Sequence, residues 1–118
     1  MGMFLRRGIP AEKIVDVDII LSGDLTLVGA YITIDGTKYY TAQTLTVQAG
    51  TTVSVLAGYK RGRDGPKTAI IFDGVEVARG DTNVEAEYSF EIKNSVHIVF
   101  TEGYGWDTYY TCTITTVT

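Results

Sequence analysis

Tyr31-Ile32-Thr33-Ile34-Asp35-Gly36-Thr37-Lys38-Tyr39 and Ile70-Ile71-Phe72-Asp73-Gly74-Val75-Glu76-Val77 decide the fold of this chain. Each sets Asp-Gly between two alternating apolar runs. A two-residue type I′ turn needs positive φ at both central positions, which Asp tolerates and Gly adopts freely, so the dipeptide predicts a hairpin and its register. That register puts Ile32, Ile34 and Tyr39 on one face of the first hairpin, with Thr33 and Lys38 opposite. In the second it groups Ile70, Phe72, Val75 and Val77, with Ile71 and Glu76 opposite.

The same alternation extends outward from the hairpins. Val15, Val17, Ile19 and Leu21 face one way and Asp16 and Asp18 the other, a half-buried strand ending at Ser22-Gly23-Asp24. A long strand is expected from Leu25 into the first Asp-Gly turn, bent or bulged at Gly29. Leu45 and Val47, then Val53, Val55 and Ala57, supply inward sets on either side of Gln48-Ala49-Gly50. Tyr88, Phe90 and Ile92 alternate before a turn at Lys93-Asn94, and Val96, Ile98 and Phe100 follow. The last strand directs Tyr110, Cys112 and Ile114 inward and Thr111, Thr113 and Thr115 outward. Strand, Asp-Gly, strand, strand, short turn, strand runs from Tyr31 to Ala57 and again from Ala69 to Thr101. This repetition predicts two similar sheets stacked face to face. The fold expected is an all-β, Ig-like β-sandwich of about eight to ten antiparallel strands. Residues 14–118 form its single domain, and residues 1–13, interrupted by Gly8 and Pro10, an extended N-terminal arm.

With 118 residues the chain is long enough to bury a core without metal or disulfide, and its single Cys112 forms no internal bridge. A net charge of −4 argues against general affinity for nucleic acid, which needs clustered Lys and Arg. No run approaches the roughly 20 apolar residues that span a bilayer, so no membrane partner is expected. Two arginines, Arg6 and Arg7, precede any apolar stretch of signal-peptide length, so synthesis in a cytoplasm is expected.

Chemistry is thinly represented. His97, the only histidine, falls on the outer face of a strand with no nucleophile motif beside it. Cys112 falls in the inward register, where cysteine behaves as a small apolar residue. Asp16, Asp18 and Asp24 offer oxygen ligands of the kind calcium accepts, as does Arg79-Gly80-Asp81-Thr82-Asn83, yet alternating aspartates are ordinarily the wet face of a strand. A hydrolase would need a carboxylate pair, and no spacing brings together two of Glu85, Glu87, Glu91 and Glu102. No catalytic, metal or cofactor site is expected.

Contact surfaces are better candidates. Tyr104, Trp106 and Tyr109, in a stretch that runs on to Tyr110, surround two glycines, which suits sugar stacking or protein contacts as well as capping one end of the sandwich. Tyr59, Arg61 and Arg63 belong to a locally positive loop running to Lys67 that suits an acidic surface. Phe4, Leu5, Arg6 and Arg7 give the arm an apolar-basic cluster suited to assembly, since disordered tails seldom carry apolar clusters without use.

Tyr31 to Ala42, followed by Leu45-Thr46-Val47-Gln48-Ala49-Gly50-Thr51-Thr52-Val53, resembles the small Ig-like β-domain proteins encoded among structural genes of tailed bacteriophages and prophages of Gram-positive hosts. Ile70 to Ala78 and the Thr-rich end match that style, and the likeness spans roughly residues 25 to 117. It implies a non-enzymatic virion or tail component, such as a capsid decoration or accessory protein. Its partners would be other virion subunits or further copies of itself. The alternative from the residues alone is a carbohydrate- or cell-surface-binding module, its stacking platform built from the Tyr104–Tyr110 loop and its ligand a host glycan.

Overall fold

The computed structural model describes residues 15–23, 25, 30–58, 67–80, 84–101 and 109–117. The arm, the Tyr59–Pro66 loop, Gly29, Asp24 and residues 102–108 therefore lie outside the described residues. Ten strands are described: β1 (Asp16–Gly23), β2 (Tyr31–Ile34), β3 (Thr37–Tyr39), β4 (Gln43–Gln48), β5 (Thr52–Ala57), β6 (Lys67–Phe72), β7 (Val75–Arg79), β8 (Ala86–Glu91), β9 (Val96–Thr101) and β10 (Tyr109–Thr116). They form a six-stranded sheet, order β4-β1-β9-β10-β6-β7, and a four-stranded sheet, order β3-β2-β5-β8. Apolar side chains from both sheets meet in one core, Ile19, Leu21, Ile70, Ile98, Phe100 and Ile114 from the larger against Ile32, Ile34, Val53 and Val55 from the smaller. The molecule is thus an all-β sandwich. Among the described residues no helix is long and apolar enough to cross a membrane.

Both Asp-Gly turns form as their chemistry requires. Asp35 and Gly36 have φ of 50° and 81°, Asp73 and Gly74 of 47° and 84°. The first hairpin keeps the expected register, Ile32 opposite Tyr39 and Thr33 opposite Lys38. The second does not. A bulge between Ile70 and Ile71 places Ala78 opposite Ile70, so Val77 is the extra residue. Both Val77 and Ala78 pack partly on the core, whereas Val75, expected inward, is 63% exposed. Residues three apart in a regular strand face opposite sides. The extra residue removes that parity and lets Arg79 clasp Glu76, Nε and Nη2 each 2.8 Å from a carboxylate oxygen.

Other expectations are corrected as well. Val15 is exposed rather than inward. Leu25 is buried and not in a strand, with the Ala30 N–H donating to its carbonyl at 3.0 Å, and the strand that leads into the first turn is Tyr31–Ile34. The sheets are unequal, and the pairing is not wholly antiparallel: β1 runs parallel to β9 and β10 parallel to β6.

One rearrangement accounts for both departures. The two repeats follow the same itinerary with the sheets exchanged. Each places its hairpin in one sheet (β2-β3, then β6-β7), sends its third strand to the other (β4, then β8), and returns its fourth (β5, then β9). The smaller sheet therefore reads hairpin, fourth strand, then the other repeat's third strand. The larger reads the same once β10 is lifted from between β6 and β9, and β1 from between β9 and β4. A strand inserted between two antiparallel neighbours must run parallel to one of them, which is where both parallel pairs arise. The two crossovers also meet: Gly50 N–H donates to the Ile92 carbonyl at 2.6 Å, and Ile92 N–H to the Thr51 carbonyl at 2.9 Å.

Candidate functional site

The contact residues expected from the sequence fall largely outside the described residues. That holds for Phe4, Leu5, Arg6, Arg7, Tyr59, Arg61, Arg63, Tyr104 and Trp106. Tyr109 is placed by its backbone alone, at the start of β10 opposite Lys67.

The groups considered for chemistry are placed apart. His97 is exposed on the outer face of the larger sheet, its Nε2 3.4 Å from Ser22 Oγ. Cys112 is fully buried, and that burial pushes its thiol pKa up, keeping it protonated. Asp16 and Asp18 share the wet face of β1, where the Asp18 carboxylate accepts the Thr46 hydroxyl at 2.8 Å. Among the described residues no three His, Cys, Asp or Glu side chains gather as metal ligands would.

Two surfaces offer binding geometry instead. The first is a groove of about 340 Å³ on the outer face of the smaller sheet. Its floor comes from register: Thr33 lies opposite Ser54 and Ser54 opposite Ser89, three small hydroxyl side chains in one row. Ser54 and Ser89 are hydrogen-bonded at 2.7 Å. The next row, Tyr31, Leu56 and Glu87, forms a taller wall. The Tyr31 ring leans on Tyr40 at 5.4 Å between centroids, and Lys38 Nζ lies 4.8 Å from its centre. Ring, hydroxyls and one carboxylate can hold a neutral polar ligand by stacking and hydrogen bonds. These residues come from strands distant in sequence, and only the short Thr/Ser side chains of β2, β5 and β8 hinted at them.

The second surface is a sheet edge. Edge strands expose unpaired backbone groups and are ordinarily guarded by charge, bulges or brevity. Three of the four described edges are guarded so: β3 is three residues long and carries Lys38, β7 is bulged and carries Glu76 and Arg79, and β8 carries Glu87 and Glu91. The fourth, β4, is Gln43-Thr44-Leu45-Thr46-Val47-Gln48, without charge, proline or glycine. It pairs with β1 over six consecutive residues without a register shift.

No family model, no curated protein and no solved structure matches this chain.

Proposed function

We propose that this chain is a non-enzymatic structural or accessory protein of a bacteriophage or prophage particle, a capsid decoration or tail-associated component with an Ig-like sandwich, acting through protein–protein contacts. The observation that carries the contact role is the β4 edge, six residues of regular strand without charge, proline or glycine and with no strand paired on its outer side among the described residues. The virion assignment rests on the likeness of residues 25 to 117 to small phage β-domains. The parallel β1–β9 and β6–β10 pairs depart from the antiparallel sheets of Ig domains, so the likeness is one of architecture. The test is mass spectrometry of particles purified after induction of a bacterial strain encoding the chain. A fixed number of copies per particle is the expected result, and absence from washed particles overturns the reading.

The groove on the smaller sheet supports a second reading, binding of a carbohydrate or cell-surface glycan. On this reading a glycan array gives signal that Tyr31→Ala removes, while a uniformly blank array discards it.

A further inference from the structure

Neighbouring residues of a strand direct their backbone groups to opposite sides. The Ala49 N–H donates to the Val15 carbonyl at 2.8 Å, which places residue 15 among those bonding toward β4. Asp18 directs its N–H the other way, to Ser95 Oγ at 2.9 Å, beside β9. Alternation then assigns Val17, Ile19 and Leu21 to the ladder with β4, where their partners are Val47, Leu45 and Gln43. The backbone groups of Thr44, Thr46 and Gln48 point to the open edge. Of these the Gln48 carbonyl is engaged, accepting the Thr51 N–H at 3.1 Å and the Thr51 hydroxyl at 2.6 Å. Among the described residues nothing pairs with the backbone groups of Thr44 and Thr46, which offer both a donor and an acceptor, or with the Gln48 N–H.

We propose that two copies of this chain pair through β4, antiparallel about a twofold axis at Thr46, so that two six-stranded sheets join edge to edge. This deepens the contact reading above and rests on it in taking β4 as the contact surface. A second copy fits because the strand matches itself. With Thr46 opposite the second copy's Thr46, Leu45 faces Val47 twice on the core side, and Thr44 faces Gln48 on the outer side. Thr46 N–H donates to the second copy's Thr46 carbonyl and Gln48 N–H to its Thr44 carbonyl, each bond made twice by symmetry. A register centred on Leu45 instead puts Val47 opposite Gln43, whose amide is already bonded to Thr41 at 3.1 Å. Sliding the second strand by a single residue instead opposes Thr46 to Leu45 and turns the second copy's Leu45 and Val47 to the outer face. Leu45 and Val47 are only half-buried in the single chain, and the added strand covers their flank. An isologous pairing of this kind closes at the dimer and leaves no further β4 edge.

The test uses the full chain in solution. Light scattering across rising concentration should approach twice 12.9 kDa. Thr46→Pro removes the N–H at the axis, which makes no ladder bond within the chain, so the variant should keep the parent β spectrum and stay at single-chain mass. Independently, oxidised Thr46→Cys should give a disulfide-linked dimer and Thr44→Cys none, because only position 46 faces itself. A parent that stays at 12.9 kDa to millimolar concentration overturns the proposal. So does a dimer indifferent to Thr46→Pro, or equal cross-linking at 44 and 46. If Thr46→Pro does not fold, the cysteine comparison decides. A dimer formed by a chain absent from particles keeps the pairing and removes the virion reading. A chain found in particles yet monomeric alone does the reverse.

Discussion

The smaller sheet is a hairpin, the same repeat's fourth strand and the other repeat's third strand, all antiparallel; the larger sheet has the same arrangement opened twice to admit β1 and β10. The fold tolerates change in how strands are ordered and not in how they turn. Turn chemistry and core-facing alternation are the same in both sheets, whereas order, direction and register change wherever a strand has been inserted. The second hairpin, beside β10, is bulged and tied to it: Asp73 N–H donates to the Ile114 carbonyl at 2.8 Å, and its carboxylate accepts the Thr116 hydroxyl at 2.6 Å and the Thr116 N–H at 2.8 Å. The first hairpin has no inserted strand beside it and stays regular.

Substitutions in the two sheets test this difference directly. The largest effect is expected at the seam where β1 enters. Gly23 has φ of 102°, and an added Cβ would lie 2.0 Å from the Phe100 carbonyl oxygen. Gly23→Ala should therefore cost about 3 kcal/mol or more, the sum of a left-handed backbone and a backbone clash. Gly36→Ala meets nothing within 4 Å and should cost about 1 kcal/mol from its φ of 81° alone. Urea midpoints of the two variants measure the contrast, and equal shifts would mean that β1 is not seated tightly against β9.

Next come Ile32 and Ile70, fully buried and 38 residues apart like the two turns. Ile32→Val and Ile70→Val should each cost about 1 kcal/mol, matching one another if the repeats support the core equally. A cost confined to Ile70 would place the stability in the larger sheet.

An effect of similar size and opposite sign is expected at Thr68, two residues before Ile70, where the first repeat has Ala30. Ala30 and Thr68 are both buried, but the Thr68 hydroxyl has no hydrogen-bond partner among the described residues. Thr68→Val replaces that hydroxyl with a methyl of similar size and should raise stability by about 1 kcal/mol, read from the thermal midpoint.

The smallest effect is electrostatic. The Thr116 hydroxyl and N–H hold the Asp73 carboxyl below its usual pKa. A lowered folded-state pKa contributes stability at neutral pH that is lost as pH falls below about 4. Asp73→Asn should therefore flatten the acid side of the stability profile, a change that thermal midpoints at pH 7 and pH 3 resolve. A profile identical to the parent's would mean that the Thr116 contact does not favour the charged form.

Much of the candidate edge was legible in the residues and little of the groove. Leu45 and Val47 read directly as one face of a strand, because alternation is a property of consecutive residues. That this strand would close the larger sheet, away from the β5 that follows it, was not legible, since Gln48-Ala49-Gly50 reads equally well as a hairpin turn or a crossover. The groove joins Thr33, Ser54 and Ser89 through two strand registers. No local pattern fixes such a register between strands that are not joined by a turn.

The two Asp-Gly turns, the alternating inward faces and the repeated order of strands follow from local residue chemistry, because φ preference and side-chain period act within a few residues. Only the tertiary structure decided that the third strand of each repeat changes sheets, that β1 and β10 enter the larger sheet with one parallel neighbour each, and that β4 is left as its uncharged edge. Those choices are made by pairings among strands far apart in the chain. There the backbone offers the same donors and acceptors to every partner, and shared core burial selects among them.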